Sequence, residues 1–136
     1  GFTVSAAPTQ SAAQVANPPA SDIAITLSDY AFTLSKPVTA GHHVFSVDNS
    51  ASQPHEVQLV QLAPGKTAAD VLRWLEKPGG PPPASAIGGV APFSRTTNYF
   101  AADLTPGNYA LICFVRDAKD GKPHFMHGMT STLTVS

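Results

Sequence analysis

The chain contains little charge. Only 12% of its 136 residues are Asp, Glu, Lys or Arg, and the net charge is −1. It has no basic stripe and no acidic tail, which argues against nucleic acid or a strongly charged substrate as the partner. It also lacks an apolar run of membrane-spanning length. The single cysteine, Cys113, excludes an internal disulfide, so cysteine pairing says nothing about the compartment.

Long uninterrupted segments are also scarce, because 13 prolines and 10 glycines divide the chain. The length fits one domain with a single core. Residues 1–20 are rich in Ala, Ser, Gln, Thr and Pro, and such a composition buries too little apolar surface to become ordered. We therefore predict a flexible leader at 1–20 and a folded domain at 21–136. A secretion signal or lipid anchor is expected upstream of this leader.

Short β-like segments with alternating apolar and polar residues fill the predicted domain. We predict strands at residues 23–27, 32–34, 43–49, 55–62, 93–104, 109–115 and 129–135. About seven short strands with turns between them are typical of an all-β Greek-key β-sandwich or barrel. The parity of the strand that begins at His55 places His55 inward, with Glu56 and Gln58 pointing outward.

One helix is predicted within this β pattern. Thr67 is a capping hydroxyl with Asp70 three residues later, an apolar face follows, and Pro78-Gly-Gly ends the helix. Residues 78–89 are rich in Pro and Gly and are predicted to be loop. Asp103 to Tyr109, just before the cysteine strand, is similar to the tyrosine-corner turn of Greek-key sandwiches.

The last 29 residues contain a group of soft metal ligands. Cys113 lies in an apolar strand-like run, and Pro123-His-Phe-Met-His-Gly-Met129 follows after a charged loop. A thiolate, two imidazoles and a thioether are the ligands of a mononuclear blue-copper site. The second imidazole is available upstream, at His55. A buried structural thiol, a core histidine and a core methionine are the alternative interpretations of these residues taken singly.

From residue 22 to residue 135 the sequence resembles the cupredoxin family, the plastocyanin- and azurin-like blue copper proteins. The resemblance implies one type-1 copper ion held by His55, Cys113, His124 and Met129. The four residues between His124 and Met129 match the spacing in the plastocyanin branch of the family. His127 is the alternative imidazole, and Met126 is the weaker alternative thioether.

The spacing between Cys113 and His124 departs from the family, because ten residues, Phe114–Pro123, intervene. A long loop still closes at modest entropic cost, but it is expected to hold the ligand plane less firmly. Within it, residues 117–121 lack the alternating carboxylates of a calcium loop and are predicted to be a solvated turn, with partner docking as the alternative. His42 and His43 are expected at the opposite end of the domain.

The function that the resemblance implies is one-electron transfer between transient redox partners, with Phe125, Met126 and Pro81–Pro83 as an apolar docking rim. The alternatives are a copper-delivery module without electron transfer and a metal-free interaction domain. No catalytic triad or phosphate-binding loop is evident, so the chain is not expected to be an enzyme. We expect a monomer that is located in the periplasm or elsewhere outside the cytoplasm. Anchoring to a membrane through a segment upstream of this chain is one version of this expectation.

Overall fold

The computed structural model describes residues 10–11 and 19–136, which contain nine strands. In chain order the strands are β1 (Gln10–Ser11), β2 (Ile23–Ser28), β3 (Ala31–Leu34), β4 (Gly41–Asn49), β5 (His55–Leu62), β6 (Ala84–Phe93), β7 (Thr96–Leu104), β8 (Gly107–Ile112) and β9 (Thr130–Val135). A helix, α1, spans Ala68–Glu76, and a 3₁₀ helix spans His124–His127. The predicted β-sandwich with one inserted helix is confirmed.

The strands form two sheets. The first sheet has the order β1-β7-β4-β2-β3, and the second has the order β6-β5-β8-β9. Strands β2 and β4 pair in parallel, whereas the other pairs are antiparallel. The alternating apolar residues of both sheets meet in one core, which includes Ile25, Phe45, Leu59 and Leu111 and reaches Cys113.

The outer face of the second sheet is covered by α1. Val71 of the helix packs with Val60 and Ile112 in a second apolar cluster, so β5 and β8 are buried on both faces. The predicted capping box is present, because Thr67 and Asp70 exchange hydrogen bonds at the helix start. The predicted apolar face does not extend to the end of the helix, because Leu75 is 45% exposed.

The prediction of a loop over residues 78–89 is wrong for its second half, since β6 begins at Ala84. This strand pairs with β5 through a β-bulge, and glycines make the close pairing possible. Gly89 has a φ of +145°, and a Cβ atom there would lie 1.9 Å from the carbonyl oxygen of Val57. The glycines that suggested a loop are therefore the residues that the close pairing of β5 and β6 needs. Phe93, predicted to open the next strand, ends β6, and β7 starts at Thr96.

The predicted tyrosine corner is present: the Tyr109 hydroxyl donates to the Thr105 carbonyl at 2.8 Å and accepts from the Thr105 N–H at 3.0 Å. Most of the predicted leader lies outside the described residues, apart from Gln10 and Ser11, which pair with β7, and residues 19 and 20. No helix in the described part of the chain is long and apolar enough to cross a membrane.

Candidate metal centre

Three of the four predicted ligands lie together at one end of the second sheet. His55 is the first residue of β5, Cys113 directly follows β8, and His124 is the first residue of the 3₁₀ helix. All three side chains are fully buried. The His55 and His124 Nδ1 atoms are 3.1 Å apart, and they lie 4.0 Å and 3.6 Å, respectively, from the Cys113 Sγ atom.

The other nitrogen of each imidazole is held by a polar side chain. His55 Nε2 lies 2.5 Å from Asp29 Oδ1, and His124 Nε2 lies 3.0 Å from Gln53 Oε1. The Gln53 amide nitrogen donates to Asp117 at 2.8 Å, which turns its oxygen toward His124. A carboxylate and an amide oxygen are acceptors, so both Nε2 atoms carry hydrogen and donate.

With both rings neutral, as metal binding requires, both Nδ1 atoms are bare lone pairs that face each other at 3.1 Å. Such a pair inside a buried site is unfavourable unless a cation lies between the two nitrogens. A point equidistant from the two Nδ1 atoms and Sγ lies roughly 2.1 Å from each, within the usual metal–nitrogen and metal–sulfur range of about 2.0–2.3 Å. The donor set therefore fits a copper ion, for which two imidazoles and a thiolate in a trigonal plane are diagnostic.

Burial raises the pKa of the Cys113 thiol, so the free side chain is neutral and a bound cation is needed to hold it as thiolate. Burial, together with the neighbouring His55, lowers the pKa of His124, which favours the neutral ring that a metal requires. The Glu56 backbone N–H points at Cys113 Sγ from 3.5 Å.

The prediction that Glu56 faces solvent is wrong. Its side chain is buried, and its carboxylate links β5 to the residue that follows Cys113. The carboxylate accepts hydrogen bonds from the Phe114 backbone N–H at 3.1 Å and from the Gln58 amide at 2.7 Å. This bridge fixes the backbone that follows Cys113.

Met129 is fully buried, lies in the same apolar cluster as Cys113 and directly precedes β9. Its N–H donates to the His124 carbonyl at 3.1 Å, and its carbonyl accepts from the Cys113 N–H at 3.3 Å. The backbone thus connects the predicted axial thioether to two of the predicted equatorial ligands. A long axial methionine is the usual fourth ligand of a trigonal copper site.

The ten residues between Cys113 and His124 form a closed hairpin, which we call the ligand hairpin (Phe114–Pro123). The His124 N–H donates to the Val115 carbonyl at 2.7 Å, and the Asp117 N–H donates to the Lys122 carbonyl at 2.7 Å. Because these bonds close the hairpin near its base, His124 returns beside Cys113 despite the long spacing. The expectation that the long loop holds the ligand plane less firmly stays a prediction, since these bonds show where His124 returns and not how rigid the plane is.

The prediction of a solvated turn at residues 117–121 is wrong for Asp117, although the rest of the turn is exposed. The Asp117 Oδ1 atom accepts hydrogen bonds from the Tyr30 hydroxyl and the Gln53 amide, both at 2.8 Å. The bond from Gln53, joined by that from Tyr30, holds the pKa of Asp117 far below its usual range against the effect of burial. A charged carboxylate is thus held beside His124, 3.5 Å from its Nε2 atom.

The alternative ligands lie elsewhere. His127 is stacked on Tyr30, and its Nε2 atom groups with Asp117 and Asp120 rather than with Cys113. Met126 is 59% exposed. At the far end of β4, His42 contacts Asp103 and His43 contacts Asp22, so both lie away from the candidate centre as expected.

Four residues contact the ligands without having been predicted to do so: Asp29, Tyr30, Gln53 and Asp117. Asp29 stands in a turn between β2 and β3, where an acid is ordinary. Gln53 is separated from His124 by 71 positions, so no local pattern connects them. Asp117 alone gave a signal, since it lies between two predicted ligands.

Comparison with known proteins supports the fold. No protein-family model and no curated protein matches the chain. Among solved structures, dithionite-reduced auracyanin from the photosynthetic bacterium Roseiflexus castenholzii is 19% identical, with a TM-score of 0.54 over 83% of this chain and 94% of that one. Auracyanin B is 21% identical, with a TM-score of 0.53 over 90% and 93%. Both are cupredoxins, and at this level of identity the likeness establishes that the present chain has the cupredoxin fold.

Proposed function

We propose that this protein is a type-1 copper protein that carries single electrons between redox partners. The observation that carries the proposal is the buried triangle of two bare imidazole nitrogens and one sulfur, with sides of 3.1, 3.6 and 4.0 Å. His55, Cys113, His124 and Met129 would hold a copper ion there, and the ion would supply a one-electron redox couple. The residues around it fix the ligands and exclude water, so little has to rearrange when an electron is gained or lost.

The burial of the site favours a carrier over a copper-delivery module. Delivery requires ligands that reach a partner, whereas His55, Cys113 and His124 are fully buried in this structure. The facing Nδ1 lone pairs of the two neutral rings argue against a metal-free scaffold, because their burial is unfavourable unless a cation lies between them. A location outside the cytoplasm and transient protein partners belong to the same proposal, and they are supported by the likeness to auracyanins.

The test is a titration of the purified protein with cupric ion, followed by visible absorption and electron paramagnetic resonance. We expect an intense sulfur-to-copper band that saturates at one equivalent. Cys113→Ala should abolish this band, and His124→Ala should abolish or strongly weaken it, because each removes an equatorial donor.

His127→Ala is the matched control, since it removes an imidazole that lies outside the donor triangle. It should leave the band nearly intact. A colourless wild-type protein whose Cys113 stays reactive toward thiol reagents would refute the proposal. Bleaching by His127→Ala but not by His124→Ala would show that the ligand assignment is wrong.

A further inference from the structure

None of the three equatorial donor side chains reaches solvent. His55, Cys113 and His124 are each 0% exposed, and the hydrogen-bonded pair Gln53 and Asp117 covers the outer edge of His124. A redox partner cannot touch a ligand directly. An electron must therefore cross at least one further side chain to leave the protein.

The Tyr30 side chain connects the buried site to the surface through contacts between aromatic rings. The Tyr30 ring contacts the His124 ring with centroids 5.3 Å apart, and it stacks on the His127 ring at 4.8 Å with an angle of 21° between the planes. The Tyr30 hydroxyl is anchored on Asp117, which fixes the ring between the two histidines. The His127 side chain is 28% exposed, so the sequence of rings ends at the surface.

We propose that electrons enter and leave through the Tyr30–His127 ring pair, and that the redox partner docks over this pair with an acidic surface. The inference rests on the proposed copper site. Electron transfer through packed rings is favoured because it avoids gaps filled by solvent. The ring pair also joins a ligand to the surface with only two contacts.

The charges around His127 indicate the partner. Arg116, Lys119 and Lys122 of the ligand hairpin are exposed, whereas Asp117 is buried. The exposed acid of the hairpin, Asp120, lies 2.9 Å from His127 Nε2. Three exposed cationic side chains and one exposed carboxylate give the hairpin a net positive outer surface, next to the exposed apolar side chain of Met126. An acidic surface with an apolar centre is complementary to it, and complementary charge mainly accelerates encounter.

The first experiment measures reduction of the cupric protein by hexacyanoferrate(II) in a stopped-flow instrument. Each hexacyanoferrate(II) loses one electron to become hexacyanoferrate(III), and one cupric site becomes cuprous. Tyr30→Leu and His127→Leu should each lose most of the rate while keeping the intense absorption band. Tyr30→Phe keeps the ring but loses the bond to Asp117, so it should retain more of the rate than Tyr30→Leu does. His42→Leu removes an exposed histidine at the far end and should react like wild type.

The salt dependence tests the charge of the partner surface. The rate with anionic hexacyanoferrate(II) should fall as ionic strength rises, because salt screens exposed charges beyond about 10 Å at 0.1 M. Cationic hexaammineruthenium(II) should not show this fall. The double variant Lys119→Gln, Lys122→Gln should flatten the salt dependence for the anion.

A second experiment needs no copper. Paramagnetic hexacyanochromate(III), added to the copper-free protein, should broaden the nuclear magnetic resonance signals of Lys119, Met126 and His127 in preference to those of His42. Broadening spread evenly over the surface, or a Tyr30→Leu variant that reacts at the wild-type rate, would overturn the ring path and leave the copper site standing. A protein without the intense band would overturn both.

Discussion

At the scale of single residues, the orientation of His55 depends on Asp29. The carboxylate accepts from His55 Nε2 at 2.5 Å, and Ser52 donates to its other oxygen at 2.7 Å. Although burial opposes ionisation, the bonds from Ser52 and His55 keep the pKa of Asp29 below its usual range. The charged carboxylate fixes the ring and increases the basicity of Nδ1, the atom that faces the metal position.

Asp29→Asn should therefore weaken copper binding by roughly 10–100-fold, the usual effect of removing a partner that orients a ligand. The measurement is competition for cupric ion against a chelator of known affinity. Asp48→Asn is the matched control, because Asp48 is an exposed acid that accepts from Thr97 rather than from a ligand. Equal affinities for the two variants would contradict this role of Asp29.

The candidate ligands could be predicted from the sequence, whereas the residues that contact and orient them could not. Cys113, His124 and Met129 lie within 17 positions of each other and are of types that copper prefers, so a local pattern exists. Asp29 and Gln53 have no such pattern, and the signal for Asp117 was limited to its position between two predicted ligands. Asp29 and Gln53 lie in turns that meet the ligands only in the folded sandwich, and sequence periodicity does not report which turns come into contact.

At the scale of the elements, the pairing of β6 with β5 depends on one glycine. Gly89→Ala would place a methyl group 1.9 Å from the Val57 carbonyl oxygen at a φ of +145°, where side chains are strained. We expect the free energy of unfolding to fall by about 1–3 kcal/mol or more, the range for overpacking a buried site. Equilibrium unfolding in urea provides the measurement.

Gly79→Ala is the control, since a Cβ atom at Gly79 meets nothing within 4 Å. It should leave the free energy of unfolding nearly unchanged. Similar losses for both variants would show that close approach at Gly89 does not limit the pairing. Sequence reasoning missed this strand because glycine and proline usually mark turns, and only the neighbouring strand reveals a need for an absent side chain.

At the scale of the whole molecule, the candidate centre joins the two sheets. The ligands stand on or beside strands of the second sheet, whereas Asp29 and Tyr30 belong to the β2–β3 turn of the first. The contacts of Asp29 with His55 and of Tyr30 with Asp117 both cross from one sheet to the other. The positions of the candidate ligands therefore depend on how the two sheets pack together.

Copper should therefore stabilise the entire fold. A ligand that binds only the native state adds about 2.7 kcal/mol when its free concentration is 100 times Kd. We expect thermal and urea unfolding midpoints to rise together on addition of copper, by an amount that grows with free copper. The Cys113→Ala variant should show little of this increase. Equal increases in wild type and variant would point to copper binding outside the proposed centre.

Hydrogen bonds close the ligand hairpin at its base, so the position of His124 is set by these bonds rather than by the number of residues in the hairpin. Because the Val115–His124 bond fixes the return point, a change of the exposed side chain at Lys119 or Asp120 would leave the bonds at the base of the hairpin in place. A count of residues between a thiolate and the next imidazole is then a poor criterion for rejecting a copper protein. The hairpin tip is also a natural position for recognition sequences, where new partner specificity can arise while the redox chemistry is conserved.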